Sequence, residues 1–262
     1  MKNRIQSKFK ALKKHKHKAL IAYIMAGDPS IGMTEKIVLS LEKCGVDLIE
    51  LGVPFSDPLA DGPTIQAADT RTLKKGINIE NVFALSKKLR KRTQIPLILM
   101  IYYNLILNVG EERFTRLASA SGIDGLIVPD LPPEEARNLI KCCRRFNLAT
   151  IFFVAPTSST KRIRSAVSNS TGFIYYISRT GVTGKKTEIG YELNKQIKKI
   201  KKLTKKPICV GFGIRTREQV RMIKEIADGV IVGSAIVDVI SRYSRDKQIL
   251  DKVEGFLGRL DV

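Results

Sequence analysis

The chain has 262 residues and 44% hydrophobic content, which suits one large α/β domain, and no apolar run approaches the roughly 18 residues of a membrane-spanning helix. Its formal charge of +21 invites a nucleic-acid reading, but the densest basic runs, 13–18 and 198–206, hold few aromatics. The second run also carries Ile197, Ile200 and Leu203 at helical spacing, the pattern of a lysine-covered helix over an apolar stripe. No specific nucleic-acid partner and no membrane are therefore expected, although the charge can attract phosphorylated anions over distance.

In chain order, Ile5, Phe9 and Leu12 predict an extra basic N-terminal helix within residues 1–18, covering one end of whatever follows. The apolar run 20–25 after it mimics a signal peptide, but it is short, ends in Gly27-Asp28-Pro29 and is the first of many like it, so it is predicted to be a buried strand. A helix carrying Ile37, Val38 and Leu41 follows and is predicted to stop at Gly45. Further strands are predicted at 46–51, 97–101, 125–128, 150–154, 173–177, 208–211 and 229–232. Between them lie helical patterns such as Val82, Leu85 and Leu89, or Phe114, Leu117 and Ala118. Pro132-Pro133-Glu134-Glu135 is predicted to start one helix, and Thr216 with Gln219 to form a capping box on another.

Strand then helix, repeated eight times without a linker or compositional break, predicts a single-domain (β/α)8 barrel spanning 1–262. Closure removes the two exposed edges that an open sheet would leave. The stretch from Gly52 to about Lys75 is too long for an ordinary connection and is expected to be functional. Cys44, Cys142, Cys143 and Cys209 have neither zinc-like spacing nor scaffold density, which fits reduced cysteines in a cytoplasmic protein.

Barrel chemistry is placed at the carboxyl ends of strands, and two features stand out there. Glu50 interrupts the apolar run Leu48-Ile49-Glu50-Leu51, with Asp57 and Asp61 following in a loop rich in glycine and proline. A carboxyl buried among aliphatics holds its proton near neutral pH and can deliver it; pairing with an arginine or a backbone donor is the other reading. Gly211-Phe212-Gly213 and Gly233-Ser234 follow the seventh and eighth strands, where many barrels bind phosphate on backbone N–H groups, although tight turns explain glycines equally. No lysine ends a predicted strand, which disfavours a Schiff-base aldolase. The only histidines, His15 and His17, lie in the basic N-terminal segment, and no metal-ligand spacing occurs.

Residues 50–66, ELGVPFSDPLADGPTIQ, closely resemble the signature of the tryptophan synthase alpha-chain family. AGDP at 26–29, DGLIVPDLPP at 124–133, APTS at 155–158, SRTGVTG at 178–184 and GFGI at 211–214 resemble later family motifs in the same order. The resemblance implies a carbon–carbon lyase that cleaves indole-3-glycerol phosphate to indole and glyceraldehyde 3-phosphate, with Glu50 as acid/base and Asp61 as second catalytic carboxylate. It implies Tyr175 as a hydrogen-bonding partner near Glu50, and Gly184, Phe212, Gly213, Gly233 and Ser234 around the substrate phosphate. Tyr23, Met100 and Ile127 map onto the indole pocket; core packing explains Met100 and Ile127 equally, and the family often has phenylalanine where Tyr23 stands. Residues 179–190 resemble a lid, with Thr183 expected to contact Asp61. The resemblance further implies a beta subunit carrying pyridoxal phosphate, docked in a heterotetramer through loops around 54–61 and 104–109, and no cofactor in this chain.

Overall fold

Short runs of aliphatic and β-branched residues form eight parallel strands: β1 (Ala19–Met25), β2 (Leu48–Gly52), β3 (Leu97–Met100), β4 (Gly125–Ile127), β5 (Ala149–Val154), β6 (Ile174–Ile177), β7 (Ile208–Gly211) and β8 (Gly229–Val232). Each pairs with the next and β8 returns to β1, which closes the barrel. Residues 3–178, 186–211 and 213–260 are described by this computed structural model. The helices are α1 (Arg4–Lys14), α2 (Ile31–Lys43), α3 (Pro63–Leu73), α4 (Ile79–Arg90), α5 (Tyr103–Val109), α6 (Glu111–Ala120), α7 (Arg137–Arg145), α8 (Thr160–Asn169), α9 (Lys186–Lys201), α10 (Arg217–Ile226), α11 (Ser234–Arg242) and α12 (Ile249–Leu260). None of these is long and apolar enough to cross a membrane.

Alternation along each strand creates two apolar layers. On β2, Ile49 and Leu51 join the layer between strands and helices, whereas Leu48 joins the barrel interior with Ile21, Ile98, Ile151, Phe173 and Ile231. Glu50 shares the inward parity of Leu48, in register with Tyr23 on one side and Ile98 on the other. The barrel is therefore a packed core whose upper interior positions change from aliphatic to chemically active residues.

α1 lies across the amino-terminal end of the barrel. Ile5 is fully buried in the interior cluster, and Phe9 packs on Phe173 with ring centroids 5.7 Å apart. Asn3 accepts the Ile5 N–H as N-cap while its amide donates to the carbonyls of Asp124 and Asn147. The cap thus fastens the helix to the barrel as well as starting it.

Two expectations need correction. The second strand begins at Leu48 rather than Val46, because the N–H groups of Gly45 and Val46 turn back to Glu42 and Leu41 and complete the end of α2. The helix predicted at Pro132 begins at Arg137: the N–H groups of Glu135 and Ala136 both bond to Pro132, making a separate turn first. The long stretch after β2 is a loop followed by α3, with Pro63 at the first helical position. The capping box on α10 forms as expected between Thr216 and Gln219.

Candidate active site

At the carboxyl end of the barrel lies a cavity of about 280 Å³. Its wall includes Tyr23, Asp61, Met100, Phe153, Tyr175 and Ile177, with Gly213, Arg215, Gly233 and Ser234 at one side. The aromatic and aliphatic portion suits a flat apolar ring, and the glycine-bearing side suits an anion.

Glu50 is 0% exposed, and neither carboxylate oxygen has a hydrogen-bond partner among the described residues. No arginine or backbone donor among the described residues compensates it, so burial pushes its acid up to about 8. At neutral pH it holds its proton. The next inward position on β2 is Gly52, and a methyl group there would collide with the Tyr23 phenol. Gly211 similarly makes room for Tyr175, whose Oη would lie 2.6 Å from a Cβ at that position. These two glycines let two tyrosines fold inward over the barrel core.

Asp61 occupies a different environment. It is half-buried in the loop after β2, one residue ahead of the Gly62 cap of α3, where the helix dipole favours an anion. Tyr102 Oη donates to its Oδ2 at 2.9 Å and accepts the N–H of Ala60 at 3.0 Å. Burial outweighs the Tyr102 hydrogen bond that opposes it and raises the Asp61 carboxyl above its ordinary value. Tyr23 and Tyr175 are each held well above the ordinary phenol range, chiefly by burial and further by both Glu50 and Asp61. Both carboxyls therefore lie within electrostatic reach of the same two cavity-wall rings.

The anion side is built at the N-terminus of α11. Gly233 caps it without a side-chain bond, while its carbonyl accepts from Ile236 and Val237. The N–H groups of the first helical residues stay directed at the cavity end, as an anion requires. Gly213 has φ +74, a backbone conformation in which glycine is favoured.

Of the residues singled out from sequence, Tyr23, Asp61, Met100, Tyr175, Gly213, Gly233 and Ser234 line the cavity. Glu50 lies buried near Tyr23 and Tyr175 rather than on the wall, and Ile127 belongs to the interior packing cluster. Thr183, Gly184 and Phe212 lie outside the described residues, as does 179–185 of the expected lid; α9 begins at Lys186. Sequence reasoning missed Tyr102 as the partner of Asp61, because nothing in a strand-end tyrosine tells which loop it meets. It also missed Arg215, a cation two residues beyond Gly213, which position alone could have suggested. Among the described residues, no cluster of three or more histidine, cysteine or acidic side chains could hold a metal ion.

A closed (β/α)8 barrel with Asp61 and a helix N-terminus on one cavity, and with Glu50 buried near two of its wall tyrosines, defines a barrel enzyme. Residues 9–261 match the family model described as tryptophan synthase alpha chain. A tryptophan synthase alpha chain from Geotalea daltonii is 48% identical over 241 residues, covering 92% of this chain and 91% of that one. Another from Thermoanaerobacter is 43% identical, covering 98% of each. The solved tryptophan synthase subunit alpha of Legionella pneumophila superposes with a TM-score of 0.92 at 37% identity, covering 99% and 97% of the two chains. A structure titled as the tryptophan synthase α2β2 complex of Pyrococcus furiosus matches with a TM-score of 0.86 at 36% identity, over 92% of this chain and 97% of that one. The chain belongs to the tryptophan synthase alpha chain family.

Proposed function

We propose that this chain cleaves indole-3-glycerol phosphate to indole and glyceraldehyde 3-phosphate, with Glu50 and Asp61 as the catalytic carboxyls. The observation that carries the reading is the contrast between them: Glu50 buried without a donor among the described residues, Asp61 half-buried with one. Breaking the bond between indole C3 and the glycerol chain first requires a proton on C3, which leaves positive charge shared with the ring nitrogen. Glu50, neutral below about pH 8, supplies that proton. Asp61 accepts the ring N–H and stabilises the charge as it develops, which is where stabilisation accelerates the reaction. The Glu50 carboxylate then takes the proton of the glycerol hydroxyl. As the aldehyde forms, the C–C electron pair returns to the ring, and Glu50 is neutral again.

Tyr23, Met100 and Tyr175 would contact the indole, and the N–H groups around Gly213, Gly233 and Ser234 would hold the phosphate. Thr183 and Gly184 are proposed to complete the lid and the cradle. Supply of indole to a beta subunit carrying pyridoxal phosphate in a cytoplasmic α2β2 assembly is proposed from family membership. Two exposed leucines support the docking: Leu59 at 94%, in the loop after β2, and Leu107 at 57%, on α5, fall in the two segments expected to meet that partner.

The test is indole release from indole-3-glycerol phosphate by the purified chain, alone and with a family beta subunit. Glu50→Gln and Asp61→Asn are each expected to lose at least about a thousand-fold in kcat, as loss of acid/base and charge-stabilising groups predicts. Full activity in both variants would reject the assignment.

A further inference from the structure

Asp69 is a buried acid beside the cavity to which the reaction above gives no part. It lies on the inward side of α3 with Ala68 and Thr72, and it is 2% exposed. A carboxyl there is costly unless something requires it. Its Oδ1 accepts the backbone N–H of Phe55 at 3.1 Å, across the loop that precedes α3, and its Oδ2 has no partner among the described residues. The Phe55 ring stacks on Tyr102 with centroids 5.0 Å apart and planes 21° from parallel. Tyr102 in turn donates to Asp61. Between Val53 and Gly62 the backbone is tied to other elements by the Phe55 bond to Asp69, by the Ala60 bond to Tyr102 and by the Gln66 amide, which donates to the Asp61 carbonyl at 2.9 Å.

We propose that Asp69 is a positioning residue: it holds Phe55 against Tyr102, and the stacked pair sets the direction in which Asp61 presents its carboxylate. Only the last step, presentation to the substrate, rests on the lyase reading. The tether itself is a property of the loop.

The tether is pH-dependent. Burial, opposed by the Phe55 N–H and assisted by Asp61, pushes the Asp69 acid up to about 7. The titratable groups that feel it are Asp61 in the same loop, Tyr102 beyond β3 and Tyr23 on β1. Above pH 7 the ionised carboxylate accepts the Phe55 N–H in a charge-assisted bond; below it the neutral acid accepts more weakly. Asparagine offers the same acceptor geometry at every pH.

The chain contains no tryptophan, so Phe55→Trp installs a single emitter on the Tyr102 ring. In that background Asp69→Ala is expected to red-shift the emission and raise its quenching by acrylamide, whereas Asp69→Asn leaves both near the parent values. With Phe55 retained, Asp69→Ala is expected to lower kcat on indole-3-glycerol phosphate about ten-fold with little change in KM, and Asp69→Asn to recover to within about three-fold. The kcat of Asp69→Asn relative to the unaltered chain should be higher at pH 6 than at pH 8. Unchanged emission in Asp69→Ala, or kcat and pH dependence equal to those of the unaltered chain, overturns the proposal. Should Asp69→Ala fail to fold, the pH comparison with Asp69→Asn decides alone. An unaltered chain without cleavage activity would sink the lyase reading and leave the emission test intact.

Discussion

At the residue scale, the two carboxyls differ because Tyr102 donates to one and no described residue donates to the other. Glu50 has an ordinary value of 4.5 and a folded value of about 8, so its sign is that of an acid raised by folding. The unfolded chain loses the proton first. Stability is therefore fully present below the ordinary value, declines as pH rises, and reaches its floor once pH passes about 8. Glu50→Gln removes this dependence, so its stability relative to the unaltered chain should gain roughly 4 kcal/mol between pH 4.5 and pH 8.5, by the pKa-to-energy relation. Urea unfolding at a series of pH values measures the gain, and a constant difference would show that Glu50 ionises freely. Arg215 supplies the second residue-scale prediction. Backbone N–H groups bring only dipoles to a phosphate, whereas a guanidinium on the same cavity wall brings a full charge and a fork of donors. Arg215→Gln is expected to raise KM for the phosphorylated substrate about ten-fold with kcat retained, and to reduce the dependence of KM on salt. A salt response equal to that of the unaltered chain would place the guanidinium away from the phosphate.

At the element scale, three aspartates clip the strands together at the end opposite the cavity. Asp47, Asp124 and Asp228 each immediately precede or lie next to β2, β4 and β8, and each accepts a backbone N–H from the strand before: Leu20 on β1, Leu97 on β3 and Ile208 on β7. Asp124 carries the heaviest duty, since Arg4 at 2.9 Å and Arg90 at 2.8 Å both pair with it and its side chain is 4% exposed. Asp124→Ala takes the carboxylate from a largely buried Arg90, which keeps its bonds to the carbonyls of Gly122, Thr93 and Ile95, and from the Leu97 N–H; it is expected to cost about 3 kcal/mol, with Asp124→Asn recovering part because it still accepts from Leu97. Denaturant midpoints at constant m-value measure both, and a loss under about 1 kcal/mol would make the clip dispensable. These clips were not legible in the sequence, because an acid before an apolar run looks like any loop residue until the neighbouring strand is known. The glycines teach the same lesson from the other side. Gly211 looked like part of an anion cradle, and the structure uses it to admit the Tyr175 ring. Glu50, by contrast, was legible as an anomaly because a lone acid in an aliphatic strand already conflicts with burial, and the structure buries it fully. The capping box of α10 was equally legible, since its signal is wholly local.

At the scale of the whole molecule, alternation of strand and helix was enough to predict the barrel, because eight repeats of one period leave few architectures that bury every apolar face. The pairing of Tyr102 with Asp61 depends on how β3 and the loop after β2 converge, which no local pattern encodes. That convergence also sets the outer surface. Leu59 stands two residues before Asp61, and Leu107 lies on α5, whose N-cap is Tyr102 itself, so both leucines sit on elements that hold the Asp61 carboxylate. A leucine left 94% exposed gains nothing for the isolated chain, and covering either by a partner is worth about 1.5–3 kcal/mol. Leu59→Asp combined with Leu107→Asp is therefore expected to weaken association with a family beta subunit at least about a hundred-fold, since it removes both apolar contacts and adds two charges to be desolvated. Sedimentation equilibrium of the mixed subunits measures the loss, with circular dichroism verifying that the variant stays folded. Association unchanged by the double substitution would move the docking surface to another face of the barrel. A selective loss would join partner binding to Asp61 through Tyr102, because a subunit pressing on the loop after β2 and on α5 bears on both ends of one hydrogen bond.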